Sequence, residues 1–386
     1  MRVAIVGLGN CASALIQGAH YYSHSTSRNG APHGQDDERA EGLISETIGQ
    51  YTVNDLSFVV GFDIDARKIG KPIKKAIFEL PNCCATLSRD VFNDDTDRFD
   101  GPVIAGPLLD GVAPHMFAKD ILDPERFYVS PQDSKTIYAC CGMDFNKDLI
   151  QEYASVLKTF NVDVLVNYLP VGSQVATEFW ASCCLAANVQ MVNCIPVFIA
   201  SEPAWAAKFK EAKLCIIGDD MKSQFGASVL SQALQELAKE RGHKVKIHIQ
   251  QNSGGNTDFL NMTTHDRLKS KKISKENVLK NHGTEPDFCH AGPSDYIRCY
   301  KDKKVATFHL ELEGFCGSPV ILDARLEVQD SPNSAGIVID AIRYVKVAHE
   351  RGLYGAVEGP SAFTQKSPPK TLTFAEALEA CKEFKS

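Results

Sequence analysis

In the first half of the chain, apolar residues come as short uninterrupted runs separated by stretches of helical spacing. Val3–Val6 is the first run, and a glycine turn, Gly7-Leu8-Gly9-Asn10-Cys11-Ala12, leads from it into apolar positions of helical period through Ala19. Phe58–Asp63 is a second run that ends in an acid, and weaker ones follow at Val103–Ala105 and Val162–Asn167. Amphipathic stretches around Lys147–Phe160 and Ala176–Ala187 alternate with these runs, and Gln190–Asn193 closes the series. Runs apolar on both faces, alternating with helices, predict an α/β domain built on a doubly wound parallel sheet. From about Tyr22 to Asn54 the composition turns polar, which predicts an inserted loop with a short helix and not a separate domain.

The rhythm changes after Leu214–Asp220. A helix is expected over Ser223–Glu240, and Lys244–Gln251 then alternates like a solvent-facing strand. Val305–Glu313 and Val320–Val328 alternate too, which predicts antiparallel strands in a sheet with one open face. Helices at Asp340–Arg351 and Glu376–Phe384 end the pattern. The expected organisation is a parallel-sheet domain over 1–220, an inserted α+β domain over 221–328, and a segment, 329–386, returning to the first.

Composition narrows the functional classes. Of 386 residues 44% are apolar and 23% charged, ordinary for a globular chain. No run approaches the roughly 18 apolar residues of a membrane helix, and the start reads as a strand and not a leader, so the expected location is the cytoplasm. With 41 basic and 48 acidic residues the net charge is −7, which argues against a nucleic-acid partner. Six of the thirteen cysteines form adjacent pairs, Cys83-Cys84, Cys140-Cys141 and Cys183-Cys184, and no C-x-x-C occurs. Reduced thiols acting as small hydrophobes are expected. Neither do His20, His243, His248, His265 and His282 form a ligand-spaced pair.

The strand–turn–helix at the start carries the first chemical signal. Gly7 suits a tight turn, and Gly9 lets the backbone of Asn10, Cys11 and Ala12 approach a pyrophosphate at the positive end of the helix. Asp63, closing the second strand, is placed to accept a ribose hydroxyl, and its charge favours NAD over NADP. The polar insertion accounts for the long separation between the turn and this acid.

A second strand-to-helix junction, Gly218-Asp219-Asp220-Met221-Lys222-Ser223-Gln224-Phe225-Gly226, would suit a phosphate at its free N–H groups, although taken alone Ser223 reads better as a simple helix cap. Further on come Gly255-Asn256-Thr257-Asp258 and the lysine-rich Ser270-Lys271-Lys272-Ile273-Ser274-Lys275. These three motifs, in this order and with Asp330-Ser331-Pro332-Asn333-Ser334-Ala335-Gly336, resemble the signatures of the myo-inositol-1-phosphate synthase (inositol-3-phosphate synthase) family. Asn167–Ser173 and Lys366-Ser367-Pro368-Pro369 resemble its shorter prokaryotic branch, and the likeness runs from Arg2 to about Pro369.

The resemblance implies a cytoplasmic homotetramer that isomerises D-glucose 6-phosphate to 1D-myo-inositol 3-phosphate with NAD regenerated in each turnover. It also implies a Rossmann-like domain for NAD and an inserted domain for catalysis and oligomerisation. The family's chemistry oxidises C5, enolises at C6, closes the ring on C1 and reduces C5 again. By motif, Lys271 and Lys304 fall near the C5 oxygen and Lys366 near the C1 carbonyl. Asp220 and Asp330 accompany them, and Asn256 and Asp258 surround the sugar. Lys275 joins Ser223, Gln224 and Gly226 around the phosphate. A divalent cation between Asp220 and Asp330 remains open at this stage, as does the alternative of a sugar-phosphate dehydrogenase that releases NADH.

Overall fold

A computed structural model describes residues 1–25, 41–93, 96–110, 147–263 and 288–384. Its larger sheet has seven parallel strands: β1 (Arg2–Val6), β2 (Ser57–Asp63), β3 (Val103–Ala105), β4 (Val164–Asn167), β5 (Gln190–Asn193), β6 (Cys215–Ile217) and β11 (Gly355–Ala356). They lie in the order β11-β6-β5-β4-β1-β2-β3. The strand sequence reverses between β1 and β4, the switch point of a Rossmann-like sheet.

Helices cover both faces, as the continuous apolar runs require. On one side α1 (Asn10–Ser25) packs with α8 (Asp330–Glu350), and Val3, Ile5, Val164 and Val166 point into that layer. On the other, α3 (Lys147–Thr159) and α4 (Gln174–Ala187) enclose Ala4, Val6 and Leu165. Neighbouring residues of β1 thus serve opposite cores, the period of two that a strand imposes. The short α2 (Ile73–Ala76) lies beside β2, α5 (Pro203–Glu211) beside β6 and β11, and α9 (Glu358–Thr364) packs on α10 (Phe374–Lys382).

The second sheet has the order β10-β9-β7-β8, comprising β7 (Lys244–Gly254), β8 (Cys289–Tyr296), β9 (Lys303–Glu313) and β10 (Pro319–Gln329). β9 runs antiparallel to both β7 and β10, while β8 is parallel to β7. One face carries α6 (Ala227–Glu240), packed on Ala306, Phe308 and Leu310. Crossing from one sheet to the other is α7 (Thr257–Asn261), which contacts β8.

Several boundaries differ from the pattern reading. α6 begins at Ala227, not Ser223, because Gly226 is its N-cap. α8 begins ten residues before the expected Asp340. Its first turn holds Asp330, which suits the helix dipole, and Pro332, whose missing N–H has no intrahelical acceptor to lose there. In β7 the polar residues His248, Gln250 and Asn252 are the buried set, not the solvent-facing one. A bulge between Val245 and Ile247 shifts the register, and the polar residues bond to one another and to α6. The strands β8 and β11 and the helices α5 and α9 gave no clear periodic signal.

Of the polar insertion, α1 extends through Ser25 and the chain is described again from residue 41. That returning segment is anchored to α8 by a buried ion pair. Arg343 donates to Asp340 and to the carbonyls of Ser45 and Glu46, and Asp340 accepts from the Ile44 N–H.

Candidate active site

One cleft lies between the two sheets, outside the carboxyl ends of the parallel strands. Gly7 and Gly9 follow β1, Asp63 ends β2, Gly106 follows β3, Tyr168 follows β4, Cys194 follows β5 and Asp220 follows β6; all line it. The opposite wall is the second sheet with α7 and the start of α8, contributing Gln250, Asn252, Asn256, Asp258, Lys304 and Asp330.

The glycine turn is fixed by several contacts. Gly7 has φ of +86°, and a Cβ there would come within 2.7 Å of the Tyr168 carbonyl oxygen, so only glycine fits. At Gly9 a Cβ would meet no protein atom within 4 Å. That open space sits beside the first turn of α1, whose N–H groups have no partner within the helix. Asn10 accepts from the Cys83 and Cys84 N–H groups, holding that segment beside the turn.

Asp63 lines the cleft as expected but does not simply point outward. One carboxylate oxygen accepts the Leu8 N–H at 2.8 Å, and the other accepts from Ile64 and Asp65. Lys68, buried, donates to the Leu8 carbonyl at 2.8 Å and to Asn82, and stands 3.5 Å from Asp63. Nothing in the hydrophobic pattern marked Lys68. This cradle fits a dinucleotide: an open glycine, a helix N-terminus and an acid beside them.

The substrate loop is zipped to the segment after α9. Asp219 and Ser367 exchange backbone hydrogen bonds, the Lys366 N–H donates to the Asp220 carbonyl, and the Lys222 N–H to Thr364. Asp220 adopts φ of +62°, a left-handed conformation that aspartate tolerates better than most residues. Its carboxylate accepts from the Lys366 ammonium at 2.8 Å. Beneath it Asp219 is fully buried and accepts from Asn193, Ile199, Ala200 and twice from Ser201. Burial still pushes its carboxyl up to about 6. Lys222 is buried as well, donates to the Ala362 carbonyl, and is pushed down to about 8 by burial.

A second lysine–carboxylate pair stands on the other wall, where Lys304 donates to Asp330 at 3.0 Å. Behind it is Asp302, which the sequence reading passed over. It accepts from Ser331 through both N–H and hydroxyl, and from Asn256, and burial pushes its carboxyl up to about 6. Asn256 is also the N-cap of α7, accepting from Asp258 and Phe259. It therefore serves the architecture as well as the cleft.

Ser223 and Gly226 line the cleft, but the Gln224 side chain turns away to the Gly42 carbonyl. α6 starts at Gly226 with no side-chain cap, leaving its first N–H groups to the cleft lined by Gly226, Ala227 and Ser228. The cap explanation of Ser223 is thereby overturned. Cys11 lies near Asp258, Asp302 and Asp330, and burial first, then those carboxylates, push its thiol well up. Ala12 is buried in the core behind the turn. Lys271 and Lys275, with Cys140-Cys141, His265 and His282, lie outside the described residues.

All eleven cysteines among the described residues are free thiols. Among the same residues no three His, Cys, Asp or Glu groups are arranged to hold a metal, and no helix is long and apolar enough to cross a membrane. At Asp220 and Asp330 a lysine ammonium meets one oxygen, Oδ1, of each carboxylate.

A glycine turn at the switch point of this sheet, facing a wall of lysines and carboxylates, defines a Rossmann-type dinucleotide-dependent enzyme for a small anionic substrate. Comparisons with known proteins sharpen that class. The family model for myo-inositol-1-phosphate synthase matches residues 226–331. The inositol-3-phosphate synthase of Mycolicibacterium smegmatis is 40% identical over 382 residues, covering 96% of this chain and 94% of that protein. A solved myo-inositol-1-phosphate synthase-related protein from Thermotoga maritima aligns with a TM-score of 0.74 at 25% identity, over 99% of this chain and 97% of its own. The inositol-3-phosphate synthase of Caenorhabditis elegans shares the fold, with a TM-score of 0.70 at 15% identity over 100% and 86% of the two chains. The chain belongs to the inositol-3-phosphate synthase family.

Proposed function

We propose that the cleft between the two sheets is where this chain carries out the family's reaction, with its phosphate end at α6 and its redox end at the glycine turn. As a member of the family the chain is an enzyme, an NAD-dependent isomerase that forms 1D-myo-inositol 3-phosphate from D-glucose 6-phosphate. The observation that carries the assignment of the site is the pair of ion pairs, Lys304–Asp330 and Lys366–Asp220, on opposing walls of one cleft.

Bound NAD would supply the hydride acceptor at C5 and the hydride donor for the same carbon later in the turnover. The cradle of Gly7, Gly9, Asn10, Cys11, Ala12 and Asp63 would hold it. Oxidation, enolisation and ring closure each build negative charge on a sugar oxygen, and fixed ammonium groups stabilise such charge. Lys304, held by Asp330, serves the C5 oxygen, and Lys366, held by Asp220, serves the C1 carbonyl. Lys271 completes the first group by motif, and Lys275 joins Ser223 and the helix start at Gly226 at the phosphate, whereas the Gln224 and Phe225 N–H groups already donate to Asn333. The start of α6 supports this, being an uncapped helix end beside Ser223. Asn256 and Asp258 flank the sugar.

The division 1–220, 221–328 and 329–386 follows the same logic, since β11 and Lys366 belong to the last segment yet complete the first sheet and its loop. A homotetramer and a cytoplasmic location are carried over from the family resemblance, and the open face of β9 and β10, with Val305, Thr307, Ile321 and Arg325, is a surface on which copies could meet. No divalent cation enters this reading.

Incubation with glucose 6-phosphate and NAD tests it. An inositol phosphate should accumulate while nicotinamide absorbance stays flat. One NADH released per sugar consumed would replace the synthase with a dehydrogenase.

A further inference from the structure

Five polar side chains between α6 and β7 do not belong to the pairs described above. His248, Gln250 and Asn252 alternate along one face of β7, all 2% exposed or less, on the side that α6 covers. A buried face at those positions calls for apolar residues, so their presence needs a reason. Apart from the Gln235 Oε1, which has no hydrogen-bond partner, each is satisfied by the next. Gln235 of α6 meets His248 Nδ1 at 2.7 Å, His248 Nε2 meets Ser231 Oγ at 3.1 Å, and Ser231 donates to Gln250 Oε1 at 2.8 Å. Gln250 Nε2 then donates to Asn252 Oδ1 at 3.0 Å, and Asn252 Nδ2 to the Gly292 carbonyl at 2.8 Å. The chain of bonds begins in the interior and ends at two amides that line the cleft.

The polarity of these bonds follows from elementary donor and acceptor rules. Burial pushes the His248 imidazole down to about 4, so at neutral pH the ring is uncharged and has one donor and one acceptor. The Gln235 amide nitrogen faces the ring, so Nδ1 accepts and the proton sits on Nε2; a flipped Gln235 would reverse the whole chain, which makes the tautomer its signature. Ser231, accepting that proton, has its own hydrogen left for Gln250 Oε1. Gln250 must therefore direct its carbonyl inward and its NH2 toward Asn252. A carboxamide can otherwise flip by 180° at little cost and exchange donor for acceptor at the cleft wall.

We infer that His248 is a positioning residue, which through Ser231 fixes the amide orientations of Gln250 and Asn252 and thereby which sugar hydroxyls this wall accepts. The inference rests on the isomerase reading of the cleft for its substrate and on the hydrogen-bond geometry alone for the relay. It assigns the sugar-reading polarity of the site to a group buried beneath the sheet.

Two measurements keep those foundations apart. In protein labelled with 15N-histidine, the His248 Nε2 should carry the proton and Nδ1 should not, whatever the enzyme does; an Nδ1–H tautomer would overturn the relay. Ser231→Ala then cuts the relay at its middle while placing a good helix former in α6. With NAD affinity unchanged, KM for glucose 6-phosphate should rise about tenfold, the cost of one misdirected buried hydrogen bond. Ser231→Thr, which keeps the hydroxyl, should restore most of it. If Ser231→Ala lowers the melting temperature but leaves KM and kcat untouched, the polar chain is structural and the inference fails. Wild-type enzyme that makes no inositol phosphate, beside the expected tautomer, would instead retire the isomerase reading and with it the sugar-reading role.

Discussion

At the level of single residues, open space and occupied space separate ligand roles from structural ones. Gly9 has nothing within 4 Å of where a Cβ would stand, so Gly9→Val should leave the melting temperature close to wild type. It should weaken NAD binding at least about tenfold, because the added carbon atoms enter only the space reserved for the cofactor. Calorimetric titration of NAD measures this directly. Lys68→Met removes an ammonium that ties Leu8, Asn82 and Asp63 together. NAD affinity should fall in this variant too, but here with a loss of stability, since buried partners are left without a donor. For Lys304→Ala and Lys366→Ala, turnover should drop by about 10²–10³ while NAD binding changes little. Near-normal turnover in either variant would remove that lysine from catalysis.

Asp302 gives the residue scale a pH dependence with a definite sign. Burial raises its carboxyl from 3.8 to about 6 in the folded protein. Its contribution to stability is therefore complete below 3.8 and disappears as pH rises through about 6. Asp302→Asn should flatten that part of the stability curve, a difference on the order of 2–3 kcal/mol across the window. Thermal melts of the two proteins at a series of pH values check it.

Elements were readable where one physical signal dominated and obscure where two competed. β1, the glycine turn and α1 agreed in apolar pattern, turn chemistry and helix period, and all three stand where expected. β7 misled because its buried residues are polar. Polarity signals solvent only when side chains lack partners on a neighbouring element, and Ser231 and Gln235 of α6 are invisible to a reading along β7 alone. α8 was placed late because Asp-Ser-Pro-Asn reads as a turn, yet the same residues suit a helix's first turn. Lys68 and Asp302 escaped for a related reason: each is defined by distant neighbours, Leu8 for one and Ser331 for the other, and no local spacing encodes them. The lysine–carboxylate pairs were found through motif resemblance, since periodicity alone made them ordinary surface charges. At the start of α6, Gly226→Ala brings a Cβ within 2.7 Å of the Ser223 Cβ. That variant should raise KM for glucose 6-phosphate several-fold with NAD affinity preserved, measurable in a steady-state assay.

For the whole molecule, the arrangement implies a closed redox cycle. Among the described residues the only dinucleotide turn is Gly7-Leu8-Gly9, and the thiols near it are half-buried and pushed up. An isomerisation involves no net oxidation, so electrons taken from the sugar in this cleft return to it. Many turnovers should therefore occur per bound NAD, which a single-turnover amount of cofactor and a large excess of glucose 6-phosphate would reveal as product exceeding cofactor.

The zipper between residues 219–222 and 364–367 also sets a timetable for biosynthesis. The cofactor turn leaves the ribosome well before the cation facing Asp220, Lys366, which the edge strand β11 precedes by only ten residues. A nascent chain thus carries a complete glycine turn for more than 300 residues before its cleft is complete. Chains arrested before Gly355 should expose the β6 edge and the unpaired substrate loop to whatever chaperone meets them. Only when the segment carrying Lys366 has left the exit tunnel can it reach Asp220, so competence for the sugar phosphate arrives later than the cofactor turn.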